Sequence, residues 1–134
     1  MKRICIFWTV LLMVLLLTAC GGGDVSEVGR RIGVCECFSE REIAAAMDEV
    51  ERFFRRDYDG CKLLRLEYDE EKTRQKAYQW SENYNAEAIV LQSDFSVDDS
   101  GRTVTLEPGE TYRNYEWILT KTVFGWELRT WGYG

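Results

Sequence analysis

The chain has 134 residues, with 17 basic and 23 acidic side chains, no histidine and a net charge of −6. A chain of this size holds one domain. The acidic balance disfavours nucleic acid and any polybasic grip on anionic lipid, and the lack of histidine removes the commonest general base and metal ligand.

Lys2 and Arg3 open the chain, and Ile4 to Leu17 is apolar apart from Thr9. A basic end, an apolar middle and small residues before a cut make a secretory signal. As a helix the apolar stretch would span about 21 Å, short of the roughly 30 Å hydrocarbon core. Leu17-Thr18-Ala19-Cys20 resembles the bacterial lipobox. The resemblance implies a diacylglyceryl thioether on Cys20 and cleavage just before it. Residues 1–19 are then the lipoprotein signal peptide, and the mature protein is held by lipid at the extracytoplasmic face of the cell membrane. Two acyl chains on one residue anchor stably. Loss of Lys2 and Arg3 from the 17 basic residues leaves 15 against 23 acidic ones, a net −8, so lipid rather than charge does the anchoring.

Residues 20–36 read as the lipidated cysteine and a flexible tether. Gly21, Gly22, Gly23, Gly29 and Gly33 break any periodicity, and the glycine run would let the body swing clear of the headgroups. Cys35, Cys37 and Cys61 then form an odd set in an exported chain. Cys35-Glu36-Cys37 has the spacing of a redox or metal pair. A metal site needs about four ligands, so no metal and no cofactor is expected, and a local disulfide or two thiols are the alternatives.

Residues 37–134 read as a single α+β domain. Ser39-Glu40-Arg41-Glu42 is a capping box, with Phe38 and Ile43 at the staple positions. Ile43, Met47, Val50 and Phe54 recur as one apolar stripe, widened by Ala46 and Phe53. Asp48 with Arg52 and Glu51 with Arg55 are spaced as helical ion pairs. Gly60 is expected to end this helix at C′. Cys61 to Tyr68 alternates as a half-buried strand, with Leu64, Leu66 and Tyr68 facing one way. Asp69-Glu70-Glu71 opens a second helix, whose inner face would carry Thr73, Ala77, Trp80 and Tyr84, with Asn85 as a left-handed stop. Ala86 to Val97 is a second strand, with Ile89, Leu91, Phe95 and Val97 on one face and Val90 and Asp94 on the other. After turns at residues 98–101 and 107–109, Tyr112 to Thr122 gives a third strand, with Tyr115, Trp117 and Leu119 on one face. A short hairpin near Val123 to Gly125 leads to a fourth, Trp126 to Trp131.

Helix, strand, helix and then consecutive antiparallel strands is an α+β plan. The order resembles the cone-shaped fold of the nuclear transport factor two-like superfamily, with two main helices covering one concave face of a curved antiparallel sheet of about four strands. Several segments also resemble uncharacterised bacterial lipoproteins that carry a domain of unknown function. These are Phe38-Ser39-Glu40-Arg41-Glu42-Ile43, Gly60-Cys61, Tyr68-Asp69-Glu70-Glu71, Ala88-Ile89-Val90-Leu91, Trp117-Ile118-Leu119, Trp126-Glu127-Leu128 and Trp131-Gly132-Tyr133. That likeness implies a fold and a location and carries no activity.

Three roles compete. A binding module would hold a small ligand or peptide at the mouth of the cone against Tyr112, Tyr115, Trp117, Trp131 and Tyr133. The same aromatics also suit a core and cross-strand pairs. An enzyme would use Asp94 as a general base in a closed pocket. A surface interaction protein would have a filled core and an exposed apolar patch. Neither the ligand nor the protein partner is legible in the sequence.

Overall fold

A computed structural model describes residues 22–33, 35–100 and 105–133. Residues 1–19, where a signal peptide is expected, and Cys20 lie outside the described residues. The elements run β1 (Gly29–Ile32), α1 (Glu40–Asp57), β2 (Cys61–Tyr68), α2 (Glu70–Tyr84), β3 (Ala88–Val97), β4 (Thr111–Thr122) and β5 (Gly125–Gly132). The strands form one sheet in that same order. Strands β2 to β5 pair antiparallel, and β1 lies parallel to β2. The α+β class is as expected, with a fifth strand added and the sheet mixed.

Helix α1 begins where its local chemistry says it must. Ser39 Oγ accepts from the Glu42 amide at 3.2 Å, and the Glu42 carboxylate accepts from the Ser39 amide at 3.3 Å, which satisfies two of the amides a helix start leaves unpaired. The stripe Ile43, Met47, Val50 and Phe54 is fully buried. The helix stops with Tyr58 as its cap, so Gly60 falls one position later than expected, with φ +76°. Two charge pairs also differ from expectation. Arg52 bonds Glu49, while Asp48 and Glu51 both turn to Arg30 of β1.

Those two acids help explain the added strand. Residues 22–33 are not a tether. The Gly23 amide donates to Arg55 O at 2.9 Å, Asp24 exchanges backbone bonds with Cys61 and Leu63, and Gly33 bonds Tyr68 O at 2.8 Å. Arg30 Nε reaches Glu51 at 2.7 Å, tying β1 to α1. The glycines here serve close approach rather than swing. A Cβ on Gly22 would sit 2.1 Å from Arg55 O, and one on Gly23 would sit 2.3 Å from Phe54 O. Only glycine lets backbone press on a helix end at that range.

Helix α2 is capped by Asp69, which accepts from the Glu71 and Lys72 amides. It ends at Asn85 in the left-handed conformation, as expected. The two helices do not share a concave face. α1 packs on Leu63, Leu66, Ile89, Leu91, Phe95, Trp117 and Leu119. The alternating residues Glu116 and Ile118 meet Lys76 and Trp80 of α2 from the other side, so the sheet is sandwiched. The reason lies in the narrow inner face of α2. Thr73 is buried, Ala77 and Trp80 are half-buried and Tyr84 is exposed, too little apolar surface to share the main core.

Two bulges meet in mid-sheet. One in β2, between Leu63 and Arg65, turns both Leu63 and Leu66 inward and leaves Leu64 exposed, which breaks the expected alternation. The other, in β4 opposite Asp94, contains Asn114 at φ +55°. Bulges bend strands and tighten their twist, which supplies the curvature.

Candidate interaction surface

The face of the sheet under α1 is where a cone would open, and it is filled. Trp117 is 0% exposed and Tyr115 is 8% exposed. Trp117 Nε1 donates to Ser93 Oγ at 2.7 Å, and that hydroxyl donates to Tyr115 O at 3.0 Å. Tyr58 and Tyr115 share a hydroxyl–hydroxyl bond of 3.0 Å. Burial raises the pKa of both phenols above its ordinary value. Phe54, Tyr58, Phe95 and Trp117 interlock through edge and tilted contacts. Among the described residues no buried side-chain nitrogen or oxygen lacks a partner.

The five aromatics expected at a mouth therefore divide. Tyr115 and Trp117 are core. Tyr112 is half-buried, stacked on Phe95 at 5.2 Å, with its hydroxyl accepting from the Glu107 amide. Trp131 lies 4.6 Å from Phe53 and is 43% exposed. Tyr133 packs 5.6 Å from Tyr115 and is 63% exposed. Only these last two offer substantial surface. The sequence reading missed Tyr58 as a member of this aromatic cluster. It is the cap of α1, four residues after Phe54, so the apolar stripe of the helix extended by one turn could have found it.

Outside the core there are shallow grooves. One, about 200 Å³, lies between α2 and β4–β5, lined by Lys76, Trp80, Glu116, Ile118 and Tyr133. Another, about 260 Å³, lies between α2 and Phe38 and Tyr68. Both fall below the roughly 300 Å³ at which small-molecule sites begin.

Among the described residues the most exposed large apolar side chains are on the β4–β5 turn. Val123 is 94% exposed and Phe124 is 98% exposed. This turn is tightly built. Thr122 Oγ1 accepts from the Phe124 amide at 3.2 Å and donates to Gly125 O at 2.9 Å. Gly125 sits at φ +113° with open space around its Cα, so glycine is there for conformation, in the manner of a turn closed by a glycine bulge. Beside the turn a groove of about 370 Å³ is lined by Arg41, Glu42, Ala45, Glu49, Lys121 and Trp126. Trp126 Nε1 donates to Glu42 O at 2.9 Å, and Lys121 Nζ meets Glu42 at 2.7 Å and lies over the Trp126 ring. The sequence marked this hairpin as a turn and not as a site. The available signal was two large apolar residues where a turn wants polar ones.

Asp94 is not placed for acid–base work. Arg65 grips both of its oxygens, at 3.0 and 3.1 Å, and the Asn114 amide donates to it at 3.0 Å. The Arg65 bonds hold its carboxyl below the usual carboxylate range. Its role is to fasten the two bulges together. Cys35 and Cys37 stand as thiols. The Cys37 thiol donates to Glu70, which raises its pKa and keeps it protonated, the opposite of an activated nucleophile. Cys61 is buried in the main core, at the opposite end of α1 from Cys37. Among the described residues no cluster of three or more Cys, Asp or Glu could hold a metal ion, and no helix is long and apolar enough to cross a membrane.

No family model, no curated protein and no solved structure matches the chain, so the likenesses drawn from the sequence find no counterpart there.

Proposed function

We infer that the protein is a lipid-anchored, extracytoplasmic interaction module, held by Cys20, that presents Val123 and Phe124 to a protein partner with an apolar cleft. The observation that carries this reading is a pair of large apolar side chains, 94% and 98% exposed, on a turn braced by its own hydrogen bonds. A braced turn loses little conformational entropy on binding, so the contact energy is not consumed in ordering it. Burying a Phe side chain contributes about 1.5–3 kcal/mol, and aromatics are typical interface anchors. Lys121 and Arg41 beside the turn supply a charged rim. The filled core removes the support for a ligand held inside a cone, and the Arg65 grip on Asp94 removes it for an Asp94-dependent enzyme. The nuclear transport factor two-like assignment belongs to this proposal as well. Its support is α1 laid across the β2–β5 meander, and the position of α2 on the far face counts against it.

The test places a photo-reactive residue at Phe124 and, as a control, at Tyr78, an exposed aromatic on α2, in the full chain in its native cells. A protein adduct of defined mass from position 124, absent from 78, is the expected result. Adducts to lipid alone, or none, overturn the reading. The anchoring is tested by Cys20→Ala, which should release the protein from the membrane fraction and abolish incorporation of a fatty-acid analogue.

A further inference from the structure

The geometry points to a bilayer-facing surface at the end of the molecule formed by the C-terminus of α1 and the start of β2, with the Val123–Phe124 turn held at the opposite end, facing away from the membrane. The inference rests on lipid anchoring at Cys20 and goes beyond it, because it fixes how the domain stands. A lipoprotein on a long tether samples all orientations. Here the fold begins almost at the anchor. Cys20 is two residues before Gly22, a reach of about 7 Å at most. Gly22 and Gly23 are pressed on the backbone of Arg55 and Phe54 with no room for a Cβ, and the Gly23 and Asp24 amides are bonded to Arg55 O and Cys61 O. Acyl chains on Cys20 would therefore bring Arg55, Asp59 and Lys62 to the headgroups.

The turn is at the far end by two independent measures. Helix α1 has 18 residues, a rod of about 27 Å. Its last turn carries the Gly23 contact, and its first turn meets Lys121, Phe124 and Trp126. Strand β4 starts beside the lower end, where Thr111 pairs with Ser96. Its 12 residues rise about 40 Å to the turn. The lower end carries Asp57, Asp59, Asp98 and Asp99 against Arg55, Arg56 and Lys62. Its charge does not draw it to anionic lipid, so lipid attachment and the short connection set the orientation. A turn about 30–40 Å above the surface cannot reach the bilayer in which its own anchor sits. Its apolar tip is thus left for a partner that stands off the membrane.

The experiment uses the full chain purified from membranes and reconstituted in phosphatidylcholine vesicles containing headgroup-nitroxide lipid. Cys35→Ser and Cys37→Ser remove the competing thiols, and a fluorophore is attached through Asp59→Cys in one sample and Val123→Cys in another. The expected result is strong contact quenching at 59 and almost none at 123. Insertion of twelve Gly/Ser residues between Gly21 and Gly22 adds a coil of about 19 Å and should cut the quenching at 59 about threefold. This insertion precedes the described fold, and unchanged tryptophan emission checks that the domain is intact. Equal quenching at 59 and 123, or no effect of the inserted residues, overturns the inference. Mass spectrometry of the N-terminal peptide reads the lipid separately. An unmodified Cys20 refutes the anchoring, and its thiol is then coupled to a maleimide-bearing lipid so that the orientation is still measured.

Discussion

Replacing Ser93 by alanine removes the acceptor of the hydrogen bond that Trp117 Nε1 donates in the core. Both residues are 0% exposed, and the bond is 2.7 Å long. The indole N–H would stay buried without an acceptor, which costs about 1–3 kcal/mol. The hydroxyl also donates to Tyr115 O, and loss of that second bond places the total near 2 kcal/mol, toward the middle of the range for such a group. For a domain of this size the melting temperature should fall by about 8–10 °C. Urea unfolding of the protein in mild detergent, followed by far-ultraviolet circular dichroism, gives the free energy, with an unchanged m-value as the check on two-state behaviour. The decisive comparison is the double variant Ser93→Ala/Trp117→Phe. Phenylalanine has no N–H to strand, so the double variant should lose about 1 kcal/mol less than the sum of the two single ones. A Ser93→Ala loss below about 0.5 kcal/mol, or strict additivity, would refute the argument by showing that the indole finds another partner.

Ser39→Ala should lower stability by about 1 kcal/mol through loss of the α1 cap, read as a shift in the urea midpoint, whereas Ser39→Asp should hold it. Gly23→Ala forces a Cβ against Phe54 O and Phe54 Cδ1 and should cost about 1–3 kcal/mol, with new proteolytic cuts before β1; a neutral effect would mean that residues 22–28 are not docked. Asp94 is held below its ordinary pKa first by the Arg65 bonds. Its stabilising contribution is therefore complete above the unfolded value of about 3.9 and is lost as pH falls through the lower folded value. The pH dependence of the urea midpoint below about pH 4 should be shallower in Asp94→Asn, and an identical profile would show that the pair contributes nothing. Glu42 and Asp24 are depressed in the same direction, so some acid sensitivity should persist in that variant.

Local signals were legible in the sequence, and non-local ones were not. The capping box, the apolar stripe of α1, the acidic opening of α2 at Asp69-Glu70-Glu71 and the Asn85 stop are each written within a few residues, and each forms as read. The inward faces of β3, and of β4 from Tyr115 to Leu119, follow from alternation. Alternation failed in β2 because a bulge at Leu64 shifts the pattern by one residue, and bulges leave no local mark here. The side on which α2 packs was also hidden. Its face is too mixed to declare a direction, and the Lys76–Glu116 pair reveals it. The largest miss was residues 22–33. Glycines, an aspartate and two arginines spell a solvated linker by composition, yet composition describes the segment alone. Arg30 is satisfied by Glu51 and Asp48, which are 21 and 18 residues away, and the glycines are matched to a helix end that the local sequence does not mention. The same glycines that read as freedom to swing are, in the fold, what lets the chain lie against α1. Their meaning is reversed by the surface they meet.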